Sequence, residues 1–563
     1  MRSANWEIGG FDRATAVDFC RQGINPLVSV LLTSRGITQI EKARAILGDG
    51  PPEIHDPFLL TDMDKAVSRI NAAVENGERI AIYGDYDVDG MTSCALLSLW
   101  LRSKNADYET YIPGRLGEGY GLNRAALETL KSRGIGLVIT VDCGITAIEE
   151  AGFAQNLGLG LVITDHHECR AELPEADAVI NPKRPDCNYP NKSLAGVGVA
   201  FKLVCALEGV TDFDEMFRRY GDLVAIGTIA DVMNVLGENR ELIRRGLFAL
   251  NNGPRPGILR LLQEVGVEPG KVSSAVVGFT IAPRLNAAGR MGKPNLSVEL
   301  LLSDSGRDAE SLAVELCRLN SERRSLELGI FEEAVALLPE FNPGEPIILA
   351  QRGWFQGVTG IVAAKMAERY QVPAVIISID DDGIGRGSCR SCGGFSLYEA
   401  LRSCEDILNN YGGHEMAAGV TVDEARIDEL RRRLISNYRD SIMVAPKPGL
   451  YLDFEVEKME LLTVQNIEAL ECLEPFGSGN PSPCLCIRGA VIVFVQSIGA
   501  GKHTRLRIEK ADKTMDCVFF SMPFEELGVG EGMLVDVAFE PQINDFRGRS
   551  DVQLHVIDIR LSE

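Results

Sequence analysis

Between about residues 60 and 240 the chain alternates short, continuous apolar runs with longer amphipathic stretches. The runs Ile80–Tyr83, Leu137–Val141 and Leu159–Thr164 are apolar almost throughout. Each therefore predicts a strand buried on both faces, as in a parallel sheet. The amphipathic stretches between them predict crossover helices, and the alternation predicts α/β units. A fourth run, Leu223–Ala230, fits a strand or a buried helix equally, because periodicity does not separate the two over so short a length. Residues 1–50 read as a helical, irregular segment that ends at Gly48-Asp49-Gly50-Pro51-Pro52.

Farther along, Leu312, Leu316, Leu319, Leu326, Ile330 and Leu338 recur at near-heptad spacing and predict one long helix over 306–340. A new α/β pattern starts directly after it, with strands at Pro346–Ala350 and Ala374–Ile379 around a helix at Val358–Tyr370, so the long helix reads as a connector. Pro446-Lys447-Pro448-Gly449 reads as a linker. The tail then changes character. It holds six short β-rich runs: Cys484–Arg488, Val491–Val495, Thr504–Ile508, Met515–Phe520, Leu534–Phe539 and Val552–Ile559. That density predicts a small barrel, with the OB-fold as leading candidate. The fold class expected is two α/β domains (51–305 and 341–445) joined by a long helix and followed by a C-terminal OB-fold β-barrel over 446–563.

The length of 563 residues agrees with three or four domains. Acidic residues outnumber basic ones, 80 to 57, for a net charge of -23. A surface that coats nucleic acid or an anionic membrane throughout is thereby disfavoured. A local basic groove is not, since screening limits distant charges to about 10 Å. The N-terminus shows no signal-peptide h-region, and no apolar run reaches the roughly 18 residues of a membrane span. The 14 scattered cysteines suit reduced thiols. These features predict a cytoplasmic protein with no membrane partner. The lone CxxC, Cys389 to Cys392, has no second pair to complete a zinc site and reads as small residues in a tight loop.

Chemistry enters at the residues directly after each apolar run. After the first comes Asp85-Tyr86-Asp87-Val88-Asp89-Gly90; after the second, Asp142-Cys143-Gly144; after the third, Asp165-His166-His167; after the fourth, Asp231. Ligands of open α/β sheets bind beyond the carboxyl ends of the strands, so at least three clusters converge on one rim. Alone, each Asp is an ordinary helix cap. Together they form a set of mutually repelling carboxylates that cations would relieve. Oxygen ligands with one or two imidazoles favour manganese or magnesium. So many acids predict two ions about 3.5–4 Å apart, a spacing suited to phosphoryl chemistry.

In order, GDYDVDGMTS, VDCGI, TDHH and GTIADV resemble the motifs of the DHH phosphoesterase superfamily. IPGRLGEGYGLN (112–123), NPKR (181–184), APRLNAAGRMG (282–292), GRGSCRS (385–391), GGHEMAAG (412–419) and EPFGSGNPSP (474–483) narrow the resemblance to the RecJ single-strand-specific exonucleases of bacteria. It implies metal ligands at Asp87, Asp89, Asp142, His166 and Asp231. His167 then lies beside the scissile phosphate, either orienting it or acting as an acid, and His167 and Asp142 are the catalytic candidates. Tyr83 stands where related pyrophosphatases place a ligating histidine.

Guanidinium forks suit phosphate oxygens. The arginines near glycines (Arg115, and Arg284 with Asn286 and Arg290) read equally as surface salt bridges, but the resemblance makes Arg115, Arg284 and Asn286 substrate contacts. It also makes Arg386–Ser391 and Gly412–His414 the glycine-rich loops of a DHH-associated domain, with Ser388, Arg390 and His414 gripping the strand. In the barrel, Phe494, Phe519, Phe520, Phe539 and Phe546, with Lys502, Arg505, Arg507, Arg547 and Arg549, are the available stacking and basic groups. The activity implied is 5′-to-3′ hydrolysis of single-stranded DNA to mononucleotides in recombination and repair, with two manganese or magnesium ions. Implied partners are single-stranded DNA, a single-strand-binding protein and a RecQ-type helicase.

Overall fold

The computed structural model describes residues 5–50, 53–114, 121–210, 212–338, 341–342, 344–441, 449–546 and 549–562. They form two compact units, one of residues 54–446 and one that joins residues 1–53 to 447–563.

The larger unit opens on a five-stranded parallel sheet. Its strands, in spatial order, are Tyr108–Tyr111, Ile80–Gly84, Leu137–Val141, Gly160–Thr164 and Ala178–Ile180. Every residue of Ile80–Gly84 and Leu137–Val141 is buried, as strands covered by helices on both faces must be. Ile80 and Ile82 face one core, with Trp100 and Val197, while Ala81 and Tyr83 face another, with Leu127 and Val138. The strand of this sheet that comes first in the chain, Ile80–Gly84, lies between its second and third, so the strand order reverses between Ile80–Gly84 and Leu137–Val141. That reversal opens a crevice beyond their carboxyl ends.

The ambiguous run resolves as a helix, Phe213–Ala230, in which Tyr220–Thr228 are all buried. It packs on the helices Val88–Ser103 and Gly196–Leu207 to cover one sheet face. A fully buried ion pair pins this layer: Lys202 Nζ lies 2.6 Å from Glu238 Oε1, both side chains at 0% exposure. Lys202 also donates to His55 O (2.7 Å), and Tyr189 Oη donates to Glu238 (2.9 Å).

The long helix runs Gly306–Ala336. Ala313, Leu316 and Leu319 belong to the first domain's core, and Ile330 and Ala334 to the next one, so the helix joins the two domains through both cores. The second domain has a mixed sheet ordered Asn410–Gly413, Ala417–Asp423, Ile384–Arg390, Ala374–Ile379, Ile347–Arg352. Here the structure corrects the reading of Arg386–Ser391 and Gly412–His414 as loops, since Ile384–Arg390 is a regular strand and Gly412 and Gly413 end the strand Asn410–Gly413. Gly385 and Gly387 are glycines for packing, because a Cβ on either would lie 2.8–2.9 Å from Ile377.

In the smaller unit, five strands close into a barrel: Leu485–Ile498, His503–Lys510, Lys513–Phe519, Arg549–Leu561 and Leu534–Phe546, the last pairing back to the first. The runs 484–488 and 491–495 are one strand that bends at Gly489, where φ is 65° and the register shifts. The N-terminal segment shares the barrel's core. Phe19, Leu27 and Leu31 cluster with Phe454, Leu485 and Val537, and a strand at Asn5–Ile8 pairs with Gly449–Leu452. Among the described residues no disulfide joins any of the 14 cysteines, and no helix is long and apolar enough to cross a membrane.

Replacing Lys202 by Met leaves Glu238 buried without its cation. The expected loss is about 3–5 kcal/mol, read as a lower urea midpoint by fluorescence; an unchanged midpoint refutes a stabilising pair.

Candidate metal centre

All four acidic clusters meet at the switch-point crevice. Asp87 caps the helix Val88–Ser103, accepting from Gly90 N at 3.1 Å, and Asp89 sits in its first turn. Asp142 leaves its strand in the left-handed region, at φ 62°, and is followed by Gly144 at φ 108°. A non-glycine residue held there is strained, which fits a site where side-chain direction outweighs backbone ease. Asp231 ends the helix Phe213–Ala230, at the negative end of its dipole.

Close approach explains the glycines. A Cβ on Gly196 would lie 2.6–2.8 Å from the Asp142 side chain, and one on Gly227 would lie 2.4 Å from Thr92 Oγ1 and 2.9 Å from Asp89 Oδ1. Gly196 and Val197, opening their helix, donate backbone N–H groups to Asp89 at 2.6 and 2.8 Å.

Three overlapping groups have donor atoms within 4.8 Å of one another: Asp85, Asp87 and Asp142; Asp89, His166 and Asp231; Asp142, His166 and His167. Asp142 and His166 each belong to two. His166 Nε2 lies 3.1 Å from Asp142 Oδ1, 3.5 Å from Asp231 Oδ2 and 3.8 Å from Asp89 Oδ2. Yet Nε2, Asp142 Oδ1 and Asp231 Oδ2 are buried without a hydrogen-bond partner among the described residues. Buried polar atoms left this way are costly, and convergent lone pairs are what a cation satisfies. The residues present therefore fit a pair of oxygen-preferring divalent ions.

Electrostatics agree. Burial, then the charges of Asp231 and Asp87, raises Asp89 well above the usual carboxylate range. Burial and the neighbouring Asp89, Asp87 and Asp85 do the same for Asp142. Burial, then Asp87, raises Asp231 to about 7. Burial and the adjacent His167 lower His166 to about 3, so its ring is neutral and offers a lone pair. His167 behaves oppositely. Burial works against its charge, but the Asp165 carboxylate 2.7 Å from its Nδ1 outweighs that and raises it to about 9. Asp165 in turn accepts from the backbone N–H of Ile145, His166 and His167. Sequence reasoning passed over Asp165 as a site residue; its signal was its place immediately before two histidines of the motif.

Tyr83 is not among these donor groups. It packs in the core with Leu127 and Leu130, and its hydroxyl donates to Gly121 O at 2.9 Å.

Of the phosphate candidates, Arg115 lies outside the described residues. Arg284 and Asn286 lie on a helix, Ala282–Arg290, preceded by a π-helical turn, Val277–Ile281. Arg284 donates to Thr280 O at 2.7 Å. A Cβ on Gly289 would lie 2.2 Å from Tyr86 O, so this helix packs tightly on the first acidic loop. Arg290 donates to Gly357 O (3.4 Å), across to the second domain. There Ser388 and Arg390 alternate along their strand toward the start of the helix Gln356–Tyr370, where Ser388 Oγ meets Thr359 Oγ1 at 3.2 Å and both side chains flank Gly360. His414 is exposed at the turn between Asn410–Gly413 and Ala417–Asp423, its backbone N–H bonded to Ala417 O (2.8 Å).

On the barrel, Phe519 and Phe539 are core, whereas Phe494 and Phe520 are exposed. Phe520 stands between His503 and His555 in edge contacts of 5.5 and 5.0 Å. Arg505 and Arg507 both pair with Asp516. The Phe546 side chain and Arg547 lie outside the described residues.

Residues 79–228 match the DHH family, N-terminal domain; 344–440 match the DHHA1 domain; and 452–558 match the RecJ OB domain. The chain is 40% identical over 564 residues to the single-stranded-DNA-specific exonuclease RecJ of Bacillus subtilis, across 99% of this chain and 71% of that one. The chain belongs to the RecJ family. To the RecJ of Salmonella typhimurium it is 33% identical, across 95% of this chain and 96% of the relative. The crystal structure of RecJ in complex with Mn2+ from Thermus thermophilus matches with a TM-score of 0.85 at 30% identity, covering 100% of this chain and 80% of that one. The RecJ family thus accounts for both α/β domains and the barrel.

Gly196→Ala would push a methyl group into Asp142. It is expected to weaken Mn2+ binding about 10–100-fold, read by calorimetric titration; unchanged affinity would mean that Asp142 is not a ligand.

Proposed function

We propose that this chain is a metal-dependent exonuclease that hydrolyses single-stranded DNA from the 5′ end and releases mononucleotides, in DNA recombination and repair. The observation that carries the reading is the convergence of orphaned carboxylate and imidazole atoms at one crevice of a RecJ-family chain. Asp87, Asp89, Asp142, His166 and Asp231 are the ligands proposed for two manganese or magnesium ions. When bound, such ions lower the pKa of water and draw charge from phosphoryl oxygens.

The protein's own groups do the rest. Asp142 and neutral His166 each belong to two of the three overlapping donor groups. Asp165 keeps His167 protonated at neutral pH, so His167 presents a proton and a positive charge beside the carboxylates. It is proposed to hold the scissile phosphate and to protonate the leaving oxygen. Arg115, Arg284, Asn286, Ser388, Arg390 and His414 are proposed to bind backbone phosphates, which positions the strand without reading its sequence. The barrel is proposed to bind single strands by itself, with exposed Phe520 a platform for bases. A cytoplasmic setting, and a RecQ-type helicase and a single-strand-binding protein as partners that present the substrate, are proposed as well.

The test tracks 5′-phosphorylated single-stranded DNA labelled at its 3′ end, with Mn2+ and a blunt-duplex control. Progressive shortening with the duplex spared is expected. Early release of a labelled mononucleotide would establish attack from the 3′ end instead. Asp142→Ala is expected to lower the rate by more than about 100-fold, since a direct ligand matters more than its supporting shell. DNA binding by anisotropy should persist; normal cleavage would misplace the site.

Arg390→Ala is expected to raise KM for DNA about 10–100-fold, the worth of a charge-assisted hydrogen bond, with kcat little changed. Steady-state kinetics with an unaltered KM would remove Arg390 from the substrate path.

A further inference from the structure

Two loops frame the acidic cluster, and neither belongs to the sheet. Residues 231–236 come after the helix Phe213–Ala230 and carry Asp231. Residues 189–195 lead into the helix Gly196–Leu207, whose first N–H groups hold Asp89. Asp89, which stands on the helix Val88–Ser103 but is gripped by the amides that follow the second loop, and Asp231, on the first loop, both approach His166 Nε2, at 3.8 and 3.5 Å, so two carboxylates are held close where the loops meet. Repulsion between them opposes both the placement of the Asp231 loop and the amide grip on Asp89.

One side chain ties the loops together. Asn239, in the first turn of the helix Gly237–Asn252, is 1% exposed. Its Nδ2 donates to Ser193 O (2.5 Å) in one loop and to Asn234 O (2.9 Å) in the other. Its Oδ1 accepts from Asn191 Nδ2 (2.9 Å). The amide orientation is forced, because a flipped Asn239 would set its oxygen against two carbonyls. The neighbouring Glu238 secures the same turn through Lys202, Tyr189 and the His55 N–H. None of these groups reaches the acidic cluster, so their influence on it runs through the two loops.

We propose that Asn239 is a positioning residue that, by tying Ser193 O to Asn234 O, fixes the separation between Asp231 and the amides holding Asp89 and so pre-organises the divalent-cation site. This rests on the two-metal reading of the crevice. Groups that orient metal ligands from behind typically change affinity 10–100-fold when removed.

The test titrates the full-length chain with Mn2+ by electron paramagnetic resonance, comparing wild type, Asn239→Ala and Asn191→Ala. The Mn2+ dissociation constant of Asn239→Ala should rise about 10–100-fold. Its kcat should fall at limiting Mn2+ and recover at saturating Mn2+, with KM for DNA unchanged, a split that general destabilisation would not produce. A folded Asn239→Ala with wild-type Mn2+ affinity overturns the proposal. Should Asn239→Ala not fold, Asn191→Ala decides: it removes the bond that orients the Asn239 amide together with those to the Ser193 N–H and Glu238, so weaker Mn2+ binding supports the proposal and wild-type affinity overturns it. Wild-type chain that binds no Mn2+ would overturn the two-metal reading itself, an outcome distinct from failure of the clamp alone.

Discussion

Carboxylates do not gather in a buried crevice without something to hold them there. Asp85, Asp89 and Asp142 are nearly inaccessible to solvent, and neighbouring carboxylates raise the proton affinity of Asp89 and Asp142. Each buried charge costs several kcal/mol to desolvate even before repulsion is counted. Much of the first domain answers that constraint. Two N–H groups at a helix start neutralise part of Asp89, Gly196 and Gly227 let helices close on the acids, and a strained backbone aims Asp142. The Asp165–His167 pair adds one fixed positive charge to a negative site. The lone pairs still uncompensated are those that divalent ions would take.

The same constraint shapes the surroundings of the crevice. The helix carrying Arg284 and Asn286 is tied to the acidic loop through Gly289 and to the second domain through Arg290 and Gly357, where any larger residue would force a gap. The acidic loop, this helix and the start of the helix Gln356–Tyr370 are thereby linked by backbone-to-backbone packing, which is stiffer than contacts between long side chains. A chain of net charge -23 that handles an anionic polymer must confine its positive charge. Several arginines are already committed: Arg386 to Asp380, and Arg505 and Arg507 to Asp516. Committed cations limit non-specific attraction and leave binding to a few placed groups.

Much of the site was legible because parallel sheets place strand ends on one rim. Three buried apolar runs, each followed by acid or imidazole, were enough to bring Asp87, Asp89, Asp142 and His166 together in expectation. Other features were less accessible. Leu223–Ala230 had no decisive period, since a helix buried on most sides is as uniformly apolar as a buried strand. Gly387 read as part of a loop, because conformational freedom and close packing use the same residue. The shared core of the N-terminal segment and the barrel, and the clamp at Asn239, rest on contacts between residues distant in the chain, which leave no local pattern.

By itself the sequence determined which segments become strands and helices, where the acids stand relative to strand ends, and which family the chain resembles. These depend on periodicity and local spacing, both short-range properties. Tertiary structure alone decided that the helix bearing Asp231 ends at the crevice, that Asp165 charges His167 while His166 stays neutral, and that Asn239 joins the two framing loops. Burial and hydrogen-bond partners settle those outcomes, and both depend on which distant residues the fold brings within a few ångströms.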